Sequence, residues 1–187
     1  IWGPSGAGKT TLAATAPRPI LWVNFDPDGT SSLMDQEDIY IADFSMESPN
    51  KVETFKHDNA GGIKQVLDEH PDMQGYGRRN SYTMQAIMSV IRVTGALDKH
   101  VIFIAHEDVP KQDEMTGAVM VSILVGGKMQ SEIPIKLSEV WHLQDTGKDR
   151  KITIRSSRLR KPMKSRMFVT SGNSDFTWSF DPETWTG

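Results

Sequence analysis

The stretch that most narrows what this chain can become lies at its start, IWGPSGAGKTTLA, where GPSGAGKT fits the pattern G-x-x-x-x-G-K-[ST] without a mismatch. Each residue type in it has a physical task. Gly3, Gly6 and Gly8 let the backbone turn sharply and aim successive N–H groups at phosphate oxygens, at the start of the helix that TTLAAT opens. Lys9 adds a point charge for the β- and γ-phosphates, and the Thr10 hydroxyl is the hard oxygen that Mg²⁺ prefers. The loop Gly3, Pro4, Ser5, Gly6, Ala7, Gly8, Lys9, Thr10 and Thr11 is therefore expected to hold ATP, with Thr10 on the metal ion. A chance Gly-rich turn before a helix has no need of the Lys-Thr pair. Phosphate loops of this kind follow a buried strand, and only Ile1 and Trp2 precede Gly3, so that strand is expected to begin upstream.

At 187 residues the chain suits one domain, 1–187, with a proper core. A formal charge of -3 argues against a generally basic coat, yet the charge is uneven. Residues 148–166, KDRKITIRSSRLRKPMKSR, carry nine of the 21 Lys and Arg residues against one acid, Asp149, and so form a candidate anion-binding strip. There is no cysteine, which excludes disulfides and thiolate metal sites and is compatible with a reducing cytoplasm. No apolar run reaches the roughly 20 residues of a membrane span, and the start is not a signal peptide. A cytoplasmic protein without a membrane partner is expected.

Beyond the loop helix, ended by Pro17 and Pro19, ILWVNFDPDG reads as a buried parallel strand whose functional end runs from Asp26 to Gly29. DIYIADF reads as a shorter strand. In NSYTMQAIMSVIRVTGAL, Ala86, Val90, Val93 and Leu97 recur at helical spacing, with Ile87 and Ile91 widening the stripe, and the helix feeds a second apolar strand, HVIFIAHE. The alternation of strand and helix predicts an α/β fold. GAVMVSILVGGKMQSEIPI reads as a Gly-rich loop followed by a helix, and EVWHLQDT with RKITIRSS as paired strands about the turn DTGKD. The tail DFTWSFDPETW is aromatic-rich without a clear period.

One expected part is missing. A phosphate-loop ATPase has an apolar strand ending in an Asp that holds Mg²⁺ through water, and nothing between DIYIADF and HVIFIAHE qualifies. Since a sheet without its central strand would leave a gap in the core, an omitted segment near residues 57–62, where NAGG joins two unlike pieces, is the expectation.

Taken in order, the phosphate loop, FDPDG, the helix before HVIFIAHE, GGKMQSEIP and RSSRLRKPMK resemble the plan of RecA-like recombination ATPases. The nearer resemblance is to phage-encoded RecA-like P-loop ATPases of the single-strand annealing and recombination type, from Ile1 to about Arg166. It implies a mainly parallel central sheet flanked by helices, with antiparallel strands at the C-terminal side. It further implies that Asp28 orients the attacking water, with Asp26 as the competing acid, and that His106 is a polar sensor of the γ-phosphate. Arg158 best matches the position from which one subunit reaches the phosphate bound by its neighbour. Residues 110–134, with Gly126, Gly127 and Lys128, correspond to the second DNA-binding loop, and GGIKQVLDEHPDMQGYGRR, with Arg78 and Arg79, to the first.

The function so implied is ATP hydrolysis with Mg²⁺ by a ring or helical filament, nucleotide lying between subunits, acting on single-stranded DNA. A single-strand DNA-binding protein is a candidate partner. Three other readings compete. A helicase or packaging motor would need an appended DNA-engaging domain, a nucleotide-gated binding module would lack the Mg²⁺-coordinating Asp, and a small-molecule kinase would carry a lid-like Arg cluster.

Overall fold

The computed structural model describes residues 1–26, 29–33, 36–43, 73–112, 114–126, 128–157, 162–168 and 172–179, and these fall into two compact units. The first comprises Ile1–Thr15 with Thr94–Gly187, and the second Ala16–Val93.

In the first unit, β1 (Trp2–Gly3) is the second strand of a five-stranded sheet. Its neighbours are β4 (Ala105–His106) and β7 (His142–Asp145), both parallel to it. Beyond β7 come β8 (Arg150–Thr153) and β9 (Asp175–Trp178), each antiparallel to the strand before it in the sheet. The fold is thus α/β and parallel about β1, with antiparallel strands at the C-terminal side as expected. DTGKD makes the turn between β7 and β8: Thr146 Oγ1 donates to the Asp149 carbonyl at 2.6 Å, and Asp145 Oδ1 accepts from the Gly147 amide at 2.7 Å. Strand β9 lies in the tail that showed no period, because only pairing with β8, Ile152 opposite Phe176, selects its extended form.

Alternation along the strands sends side chains to opposite faces. One face buries Ala7, Leu143, Ile152, Ile154 and Trp178 and receives Leu12 of helix α1 (Lys9–Ala14). The other buries Trp2, Ile123, Val140 and Met163. HVIFIAHE pairs with β1 through more than its two formal strand residues, since the Ile1 nitrogen donates to the Phe103 carbonyl, Ala105 N to Ile1 O and Glu107 N to Gly3 O. Its first residues, Val101 and Ile102, are exposed rather than buried. Residues 110–134 hold a hairpin of β5 (Lys111–Gln112) and β6 (Val119–Met120), then helix α3 (Met129–Lys136). Lys164 Nζ donates to the Leu137 carbonyl at 2.8 Å just past the end of α3, as cations near helix C-termini do.

In the second unit, β2 (Ile20–Asn24) pairs in parallel with β3 (Ile39–Asp43), and helix α2 spans Met73–Gly95. Strand β2 is parallel as expected but not buried on both sides: Leu21 is 70% and Val23 48% exposed. Exposure alternates along β2, with Ile20, Trp22 and Asn24 more covered than Leu21 and Val23, so one face of the strand is the covered one. The helix also differs from its reading. Val90, Val93 and Leu97 are exposed, Ala86 with them, while Met84, Ile87, Met88, Ile91 and Thr94 face inward. Both sets keep helical spacing, and periodicity alone cannot say which apolar face is covered. Helical backbone begins at Met73, so Arg78 and Arg79 stand on a helix rather than a loop. The junction at 57–62 lies outside the described residues.

Candidate functional site

The phosphate-loop segment leaves β1 at Gly3, where a side chain is excluded: a Cβ there would stand 2.1 Å from the Leu143 carbonyl oxygen of β7. Gly8 turns the chain into α1 with φ +89°, a left-handed conformation that costs other residues about 1 kcal/mol or more. Ala7, buried against the sheet, anchors the loop from below.

Lys9, the first residue of α1, is 6% exposed. Its ammonium donates to the Gly3 carbonyl at 3.0 Å and the Pro4 carbonyl at 2.7 Å. The side chain therefore folds back from the end of the loop to its beginning and lays a positive charge across it. Phosphate oxygens are the anionic complement that an ammonium so held favours. Thr10 and Thr11 follow in the first helical turn, both half-buried. A Mg²⁺ ion takes most of its ligands from water and phosphate, so the single hydroxyl of Thr10 fits its needs. Among the described residues no group of three or more His, Asp or Glu could hold a metal by itself.

His106 ends β4 in register with Gly3, its side chain exposed. The structure thus brings this residue beside the first glycine of the loop. Asp28, Arg158 and Gly127 lie outside the described residues. Asp26 is exposed, and its carbonyl accepts from Asn24 Nδ2 at 2.7 Å and from the Gly29 amide at 3.1 Å. Gly126 and Lys128 are exposed at the start of α3.

Three features escaped the sequence reading. Asn24, 4% exposed, donates through Nδ2 to Asp43 Oδ1 at 2.9 Å and ties the ends of β2 and β3 together. An amide interrupting the apolar run ILWVNF was the available signal. Glu107 and His142 meet at 2.7 Å although 35 residues apart in sequence, and no local pattern announces that. Arg150 lies on Gly8: a methyl group there would be 2.8 Å from its Nε and 3.2 Å from its Cδ. The basic run containing Arg150 was visible, but not that this member turns toward the loop.

A family model for the AAA domain matches residues 1–171. The chain belongs to the AAA domain family. No curated protein and no solved structure gave a match. Membership makes this AAA domain a nucleotide-binding P-loop ATPase, in accord with an α/β sheet in which β1 has parallel neighbours on both sides. No helix among the described residues is long and apolar enough to cross a membrane.

Proposed function

We propose that this AAA domain hydrolyses ATP when bound to single-stranded DNA, and that its assembly there promotes annealing or strand exchange. The observation that carries the ATPase reading is the Lys9 ammonium held on the Gly3 and Pro4 carbonyls, with His106 in register beside Gly3. Catalysis is largely positional. Loop amides and Lys9 spread the charge of the transferring phosphoryl group, Asp28 positions the attacking water, and His106 senses the γ-phosphate. Thr10 would hold Mg²⁺ on the protein side, and the ion would supply neutralisation of the developing phosphate charge.

The DNA reading draws support from the nine Lys and Arg of residues 148–166 and from the resemblance in segment order to RecA-like recombination ATPases. The segment 110–134, which that resemblance equates with the second DNA loop, contains the exposed hairpin β5–β6, with Met115 at its tip 97% exposed. Binding through the phosphate backbone releases counterions, so affinity falls steeply with salt.

The test is ATP turnover by the purified chain with Mg²⁺, alone, with a single-stranded oligonucleotide and with duplex DNA, beside Lys9→Ala. Turnover stimulated by the single strand and abolished in Lys9→Ala, with the mutant's fold intact by circular dichroism, is the expected result. Binding of the oligonucleotide should weaken sharply between low and moderate salt. Stimulation by duplex alone would favour a motor, and nucleotide binding without turnover would favour a nucleotide-gated module. Unchanged turnover in Lys9→Ala would remove the loop from the chemistry.

A further inference from the structure

Arg150 opens β8 directly after the β7–β8 turn, opposite Asp145 on one side and Trp178 on the other. Two of its neighbours account for part of the side chain. Its Cζ lies 5.9 Å from the centroid of the Trp178 ring, within cation–π range, and Nη2 is 3.8 Å from Asp145 Oδ2, a charge contact longer than a hydrogen bond. The third neighbour is Gly8, where an added Cβ would stand 2.8 Å from Nε.

These contacts leave one atom unexplained. Arg150 Nε is buried and has no hydrogen-bond partner among the described residues. An N–H of a guanidinium in that condition is costly, and packing over a glycine needs no charge at all. A leucine or methionine at this position would cover Gly8 without that cost. The position of the orphaned donor matters too, for it rests on the last glycine of the phosphate loop, one residue before Lys9.

We propose that Arg150 contacts the phosphates of the nucleotide directly and from the same chain, a further binding residue beside Lys9. The inference rests on the ATP-binding reading of the loop. Its chemistry suits phosphate more than base or ribose: the guanidinium is always charged, planar, and able to present two N–H groups to two oxygens. Trp178 flanks the guanidinium at cation–π range, which limits the side-chain freedom lost when phosphate arrives. Gly8 must lack a side chain on this account for a second reason besides its backbone angle, since a methyl group would drive the arginine off the loop.

Arg150 differs in kind from Arg158. An arginine acting in its own subunit cannot be supplied by a neighbour, so mixing Arg150→Gln with Lys9→Ala subunits restores nothing.

The experiment measures binding of fluorescent ADP and ATP analogues, with Mg²⁺, to the wild type, Lys9→Ala, Arg150→Gln and Arg150→Lys, together with melting of each without nucleotide. Arg150→Gln should bind both nucleotides about 10- to 100-fold more weakly, the loss of one charge-assisted hydrogen bond. Arg150→Lys should recover only part, since an ammonium keeps the charge and loses the fork. Melting without nucleotide should stay near that of the wild type, while the rise in Tm that nucleotide produces shrinks. A wild type that binds both nucleotides beside Arg150 variants that bind equally well would overturn the proposal and leave the phosphate loop standing. Tighter binding by Arg150→Gln would overturn it too, marking the arginine as an obstruction. If Arg150→Gln does not fold, Arg150→Lys decides, with wild-type affinity counting against the contact. A wild type that binds neither nucleotide sinks the reading of the loop and this inference together.

Discussion

Glu107 Oε2 and His142 Nε2 lie 2.7 Å apart, joining the end of β4 to the start of β7 across the strand that leads into the phosphate loop. His142 is 1% exposed and sits opposite Trp2 in register, the two rings 4.3 Å apart between centroids. The pair therefore clamps β1 from both sides at the point where it must be rigid. Glu107→Leu removes the partner of a buried imidazole nitrogen and is expected to cost about 1–3 kcal/mol. Urea unfolding measures this as a lowered midpoint, and an unchanged midpoint would show that the clamp carries no stability.

Gly3 and Gly6 make a contrasting pair. Alanine at Gly3 must push against the Leu143 backbone from 2.1 Å, so β1 and β7 separate and about 3 kcal/mol is lost. Around Gly6 nothing lies within 4 Å of a new methyl group, and only the left-handed φ of +77° opposes it, at about 1–2 kcal/mol. Thermal melts of the two variants should rank Gly3→Ala well below Gly6→Ala. The reverse order would contradict the close approach of the strands.

The Glu139 carboxylate accepts from the Trp141 indole at 2.8 Å and from the amides of Arg166 and Met167 at 2.7 and 2.9 Å. Burial alone would raise its pKa, but these bonds to the charged form outweigh that and hold it below the ordinary value of 4.5. The folded-state pKa lies below that of the unfolded chain, so the stabilisation is complete above about pH 4.5 and is lost as pH falls through the folded value. Glu139→Gln should be less stable than the wild type at neutral pH, and the gap should narrow on acidification. Parallel unfolding curves at pH 7 and pH 4 check it, and a gap that widened in acid would reverse the sign.

For Arg158 the expected role is in a neighbouring subunit's site. Arg158→Ala and Lys9→Ala should each be inactive alone, and their mixture should recover part of the ATPase, because some interfaces then join an intact loop to an intact arginine. Arginines supplied in this way accelerate GTPases by about 10³ to 10⁵, so even a poorer geometry is measurable. No recovery, or full activity of Arg158→Ala alone, would confine the basic strip to DNA or solvent.

The phosphate loop, the α/β class and the β7–β8 hairpin were legible in the residues alone, because each depends on local rules. A glycine that must turn, a lysine at fixed spacing and a D-T-G-K-D turn between apolar strands act within about ten residues of chain. The tertiary structure decided what depends on distant partners. It chose Ile87 and Ile91 over Val90 and Val93 as the inward face of α2, and left Leu21 and Val23 of β2 exposed where the apolar run suggested burial. It made a strand of Asp175–Trp178 by pairing it with β8. It also set Arg150 on Gly8 and Glu107 against His142, contacts between residues 142 and 35 positions apart. Hydrophobic spacing says that a face wants cover, and charge says that a group wants a partner. Which cover and which partner follow only once the sheet has fixed its strand order and register, since these bring remote side chains within a few ångströms.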